Sequence, residues 1–291
     1  LKSDMHKGFD ASITWTDHIN DFNYSIGGNI TYSRFWDWEQ YKPRFSNSWD
    51  EYRNSIWHRV GYVNWGYEAI GRFQNWEQIA NYPIDNDRKG NRTVVPGDIM
   101  YKDQNNDGVI NYLDERPIGY RVDSTPTLNF GINLSASWKG FDLAMDWTGS
   151  GMTSWNQCYE TARPFQNDGN SPDEVLKDAW HLSDIWDANS PLIPGKYPMI
   201  RLNTDETSAY DKSSYWLHNV TYLKLRNLEV GYTFPKTWLN KTGISNLRLF
   251  VSGTNLLTLS NLSVMDPECA SDNGLDYPPM RVINIGVNLK F

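Results

Sequence analysis

The chain has 291 residues, enough for one large β domain or two ordinary ones, and carries 35 acidic against 27 basic residues for a formal net charge of −8. That balance lacks the basic face nucleic acid requires and argues against nucleic acid as a partner. A mean hydropathy of −0.63, with no apolar run near the ~18 residues of a spanning helix, argues against crossing a membrane by helices but not by strands, whose alternation hides from such averages.

The opening "LKSDMHKGFD" has neither an initiator Met nor a signal peptide and reads as the interior of a longer protein. In "GFDASITWT", Phe9, Ala11, Ile13 and Trp15 fall on one side. "FNYSIGGNITYS" sets Phe22, Tyr24, Ile26, Ile30 and Tyr32 against Asn23, Ser25, Asn29, Thr31 and Ser33. After a long link over 40–124, "TLNFGINLSASWK" places Leu128, Phe130, Ile132, Leu134, Ala136 and Trp138 opposite Asn129, Gly131, Asn133, Ser135, Ser137 and Lys139. "GFDLAMDWT" repeats the pattern with Phe141, Leu143, Met145 and Trp147. A second long link covers 157–218. The run at 220–234 alternates but changes phase near Arg226, as a bulge would make it. The run at 246–259 follows, then a third long link over 260–280. The last stretch, "RVINIGVNLKF", alternates from Ile283, Ile285, Val287 and Leu289 to Phe291 against Asn284, Gly286, Asn288 and Lys290. A period of two predicts about seven strands, each with one apolar and one polar face.

The polar faces carry Asn, Ser, Thr and Gly instead of the Lys and Glu of a free surface, which suggests a hydrated interior. The apolar faces carry Trp, Tyr and Phe near their ends, as membrane-barrel girdles do. A soluble β-sandwich also alternates, but the connections discriminate. The short links, "DHIND", "WKG" and "PKTWLNKTGIS", all fall on the side where the chain ends, and the long ones all fall on the other. Short periplasmic turns and long outer loops are the barrel pattern, and seven strands are too few and odd in number for a complete bacterial barrel. The fold class read here is all-β: part of a large antiparallel transmembrane β-barrel.

The stretches "PGDIMYKDQNNDGVINYLDERPIG", "LNFGINLSASWKGFDLAMDWTGSG", "YLKLRNLEVGYTFP", "RLFVSGTNLLTLS", "MDPE" and "YPPMRVINIGVNLKF" come in the order and spacing of one family. Across nearly its whole length the chain resembles the C-terminal part of SusC/RagA-like TonB-dependent outer-membrane transporters. The resemblance implies a barrel of about 22 strands with a plugged lumen, in the outer membrane of a Gram-negative bacterium. It implies TonB as the energy source, acting through an N-terminal plug and TonB box that this sequence lacks. It implies a SusD-like surface lipoprotein as lid, often in a dimer of transporter–lipoprotein pairs. Phe291 is then the outer-membrane assembly signal, read by the barrel-insertion machinery.

"DQNNDGVINYLD" fits a calcium loop, with Asp103, Asn105 and Asp107 at positions one, three and five, Gly108 at six, the Val109 carbonyl, Asn111 at nine and Asp114 at twelve. The flanks do not read as helices, so the ion, Ca2+, would brace a loop; the alternative is a hydrogen-bonded turn without metal. Trp57, Trp65, Trp76, Trp155, Trp180, Trp186 and Trp216 lie in or beside the long links, where flat rings suit sugar stacking but equally fill loop cores. Of these, Trp57, Trp65, Trp155, Trp186 and Trp216 are candidate substrate or partner contacts, with Asp266 and Glu268 of "DPE", for which a structural turn is the competing reading. Cys158 and Cys269 both fall in outer links, where a bridge is permitted but not required. No HExxH, nucleophile elbow, phosphate loop or dinucleotide fingerprint is present, so no enzymatic activity is expected.

These features point to active import of a large nutrient, an oligosaccharide first and a peptide as the alternative. Two rivals remain: a passive substrate-selective porin, and a soluble calcium-braced domain that binds glycans.

Overall fold

The computed structural model describes residues 2–41, 43–121, 125–202, 207–240, 243–269 and 273–291. Parts of the expected links, at 42, 122–124, 203–206, 241–242 and 270–272, lie outside the described residues, as does Leu1. Seven long strands make one sheet: β1 (Lys2–Ile19), β2 (Phe22–Gln40), β3 (Leu128–Trp138), β4 (Phe141–Asn156), β5 (Leu217–Thr233), β6 (Asn246–Ser260) and β7 (Val282–Lys290). Each pairs antiparallel with the next in chain order, and a short eighth strand, Arg59–Val60, adds to β2. Among the described residues β1 and β7 have one long neighbour each, so the sheet stays open.

The turn at Lys139–Gly140 has positive φ at both residues, 47° and 92°, the backbone that matches the twist of paired strands. A side chain at Gly140 would meet the Thr233 carbonyl oxygen at 2.6 Å, so the position suits only glycine. In β5 the register shifts between Leu225 and Asn227 against both neighbours, leaving Arg226 as the bulged residue where the sequence changes phase.

Register keeps the two faces apart across the whole sheet. Ile13, Ile26, Ile132, Trp138, Phe141, Val230, Leu249, Val251, Leu257, Ile283 and Ile285 all stand exposed on the apolar face, Ile13 at 76% and Ile285 at 83%. Water-soluble surfaces do not carry contiguous apolar patches on this scale. Among the described residues no layer packs against this face, and its apolar side chains join none of the core clusters.

The core lies in the connections. The described residues of 41–127 and 157–216 leave the same end of the sheet and pack into one cap around Ile99, Tyr101 and Ile110 from the first, and Val175, Tyr197, Tyr210 and Trp216 from the second. Tyr101 donates to the Ser208 carbonyl at 2.7 Å, and Arg88 pairs with Asp211 at 2.8 Å, tying the two segments together. A second cluster joins Phe73, Ile79 and Val94. The cap's short helices Ser48–Asn54 and Trp76–Ala80 each start after an Asn, Asn47 and Asn75, whose side chain accepts from the third residue on, a standard N-cap.

Candidate functional site

The polar face is the surface on which cargo chemistry can act. Ser12 and Thr14 of β1, Ser25 and Asn29 of β2, Asn133 of β3 and Asp146 of β4 line a hollow of about 380 Å³. Its bonds run sideways between strands: Thr16 with Ser25 at 3.0 Å, Asn133 Nδ2 to Asp146 at 2.7 Å, and Ser150 to Asn129 at 2.7 Å. Arg248 donates to Asp142 at 3.1 Å and to Glu229 at 2.6 Å, Asp146 is held by the Asn133 amide, and the other polar side chains lining the hollow are amides and hydroxyls.

A strap, residues 261–269, lies across the polar face of β4 and β5. Asn261 extends the ladder past the end of β6: its Oδ1 accepts from Thr221 N at 2.9 Å and its Nδ2 donates to the Asn219 carbonyl at 2.6 Å. Leu262 then packs with Trp155, Val220 and Tyr222. Beyond it, Lys224, only 1% exposed, donates to both Asp266 oxygens at 2.7 and 2.8 Å and to Glu268 at 2.9 Å. Arg226, displaced by the bulge, reaches Glu268, Asn255 and Thr148. Burial opposes ionisation of Glu268, but the hydrogen bonds from Arg226 and Lys224 outweigh it and hold the carboxyl below the usual glutamate range. Every Lys224 proton has an acceptor, the condition under which a buried cation is tolerable. Asp266 and Glu268 are thus a latch holding the strap. Lys224 and Arg226, which the sequence reading passed over, are its other half; the available signal was two cations and a phase change in one strand.

Three of the candidate tryptophans are corrected by burial. Trp216 is 2% exposed among Tyr197, Tyr210 and Tyr215, and donates to the Ala209 carbonyl at 2.8 Å. Trp155, at 3%, lies under Leu262 and stacks on His218. Trp65, at 9%, is covered by Arg53 and Tyr52. None has a free ring face for a ligand. Trp180 is buried as well, its ring against Gly97 and below Arg72. Trp57, Trp76 and Trp186 are exposed and spread over the cap, and Trp57 stacks on His58 at 4.7 Å.

The loop at 103–114 closes through its own hydrogen bonds. Asp103 accepts from Asn106 N and Gly108 N, Asp107 from Val109 N at 2.9 Å, and Asn111 Nδ2 points at the Val109 carbonyl at 3.2 Å. The fully buried Asp114 accepts Gln104 N and Asn111 N, both at 2.8 Å, one on each oxygen. Asp103, Asn105, Asp107, Asn111 and the Val109 carbonyl are the hard oxygens calcium takes. Yet no three acidic, His or Cys side chains among the described residues stand close enough to share a cation. Cys158 and Cys269 are not joined in a disulfide. Phe291 is exposed.

No family model matches the chain. TonB-dependent receptor P3 of Formosa agariphila is 30% identical over 243 residues, 77% of this chain and 22% of its own length. SusC of Bacteroides thetaiotaomicron, also a TonB-dependent receptor, is 24% identical over 252 residues, 80% of this chain and 20% of its own. The chain therefore spans about a fifth of the length of the curated relatives it matches. The whole chain superposes on structures of the RagAB peptide transporter (TM-score 0.65, 22% identity, 29% of that chain) and of the RagAB peptide importer in its closed-closed state (0.65, 23%, 30%), which shows the fold. No helix among the described residues is long and apolar enough to cross a membrane, which says nothing of a barrel crossing by strands. Sequence likeness across most of the chain and fold likeness across all of it place the chain among the SusC/RagA-like TonB-dependent receptors.

Proposed function

We propose that this chain forms part of the wall of an outer-membrane β-barrel that actively imports a large polar nutrient, with long outer connections forming the cap. The observation that carries the proposal is a single sheet whose two faces need different solvents: neutral amides and hydroxyls on one, exposed Ile, Leu, Val and aromatic side chains on the other. The open edges at β1 and β7 call for further strands, since bare edges invite aggregation. Neutral hydrogen-bonding groups suit sugar hydroxyls, so an oligosaccharide is the cargo proposed, with Trp57, Trp76 and Trp186 as stacking faces. Peptide import is the second reading, favoured by the fold shared with the RagAB peptide transporter. A passive porin lacks a plug, and a plug in the parent chain would exclude it.

The partners proposed are a SusD-like surface lipoprotein over the cap, in a dimer of such pairs, TonB through a region outside this chain, and the barrel-insertion machinery at Phe291. Outer membranes extracted in mild detergent test this. A parent chain several times longer, recovered with a lipoprotein, supports the reading; a short chain soluble without detergent sinks it and returns the glycan-binding domain. Binding heats with oligosaccharide and with peptide then separate the two cargoes. A Ca2+ brace at 103–114 belongs to the proposal only if Asp114 exchanges its two backbone N–H partners for the ion. Saturable heat on Ca2+ titration that Asp114→Asn abolishes would show the exchange, and no heat would leave the loop a hydrogen-bonded turn.

A further inference from the structure

On the apolar face of β1 and β2, Lys7 and Arg34 stand directly opposite each other, in line with the pairs Phe9–Tyr32 below and Met5–Trp36 above. Like charges facing across a strand pair repel. Asp4, Asp10 and Asp37 point from the other face, and Asp4 and Asp37 lie beside Lys2. On the cations' own face, the acids of these strands are Glu39, near the upper end of β2, and Asp17, at the far end. Neither is bonded to Lys7 or Arg34 among the described residues. Lys7 is nonetheless held in place, its Nζ 5.0 Å from the Trp36 ring and 4.7 Å from the Trp38 ring.

Height gives this pair its meaning. Below it, this face from Phe9 to Ile19, apolar except for Asp17 near its lower end, spans roughly 33 Å of strand, which a tilt of about 40° turns into the ~25 Å of a barrel's apolar band. Stacked aromatic pairs close the band at both ends: Phe22–Tyr24 below and Phe9–Tyr32 above, each with centroids 5.8 Å apart. The next residues up are the two cations, at the depth where lipid headgroups begin.

We propose that Lys7 and Arg34 form a binding site for the phosphate of a lipid headgroup. A phosphate between them removes their repulsion and takes charge-assisted hydrogen bonds from both. The surrounding Met5, Phe9, Tyr32 and Trp36 favour a phosphate carried on acyl chains over a free one. The site rests on the membrane reading of the apolar face.

The test uses the full-length receptor carrying this chain, delipidated in dodecyl maltoside and examined by native mass spectrometry with phosphatidic acid or with diacylglycerol of the same acyl chains. Wild type retains phosphatidic acid over diacylglycerol, inorganic phosphate does not displace it, and the double variant Lys7→Gln/Arg34→Gln lowers retention about tenfold. Equal retention of the two lipids, or equal retention by the double variant, overturns the site; displacement by inorganic phosphate assigns it to the free ion instead. If the double variant fails to assemble, the lipid pair on wild type and the single variant Lys7→Gln decide. A receptor recovered without detergent defeats the membrane reading itself, whereas a membrane-borne receptor indifferent to phosphate defeats only this site.

Discussion

In the cap, Trp216 is 2% exposed and ringed by tyrosines, while in the sheet Ile13 and Ile285 stand 76% and 83% exposed on a face of their own kind. One chain thus places its apolar side chains in two opposite ways. The cap folds its connections onto one another and excludes water by itself. The sheet is a single layer, and among the described residues nothing packs over its apolar face. The strap is the seam between them: its Leu262 belongs to a small core, and its Asp266 and Glu268 are ionically bound to the polar face.

The largest expected effect is in the cap. Trp216→Ala removes the centre of its core and costs about 3–5 kcal/mol, read as loss of protease resistance in 157–216 while the sheet keeps its heat-resistant mobility on gels. Next comes a paired test on adjacent residues of β3. Ile132→Arg on the apolar face costs about 2–4 kcal/mol in a bilayer, whereas Asn133→Arg on the polar face changes stability by about 0.5 kcal/mol or less; urea unfolding in lipid measures both, and equal costs would erase the difference between the faces. Lys224→Met leaves Asp266 without its cation and Glu268 with Arg226 alone, at a cost of about 1–3 kcal/mol. Hydrogen exchange is then faster in 261–269, with little change in β1 to β3.

The last effect is a pH dependence. Burial lifts the Asp98 carboxyl to about 6, above its ordinary 3.8, although Arg201 at 2.6 Å and the Val95 N–H pull it back. An acid whose pKa rises on folding binds its proton more tightly when folded, so the stability it contributes is present at low pH and is lost as pH climbs from about 4 to about 6. Melting of the cap therefore falls across that window, and Asp98→Asn flattens the slope even though it weakens the pair with Arg201.

The strands were legible because a period of two is written residue by residue. The long links read from about 40, 157 and 260 begin where β2, β4 and β6 end, and the phase change near Arg226 is the bulge. The cap was not legible. Loop segments have no period, and whether Trp65 or Trp155 faces water depends on a segment elsewhere in the chain folding over it: Arg53 in one case, Leu262 in the other. The latch was half legible, since "DPE" stood out but its partners lie about forty residues earlier in a strand read for its alternation. At 103–114 the residue types matched a calcium loop, but type does not say whether the position-twelve carboxylate turns to an ion or, as Asp114 does, to backbone N–H groups.

The central claim is that the two faces of one sheet meet different solvents. Nitroxide labels at single cysteines placed in turn along 129–137 of β3, with Cys158 and Cys269 replaced by Ser in the full-length receptor, test it in a lipid bilayer. The account predicts collision with oxygen, the lipid-soluble relaxant, at 130, 132, 134 and 136, and with a water-soluble nickel chelate at 129, 131, 133, 135 and 137. Water-soluble access at every position would contradict it.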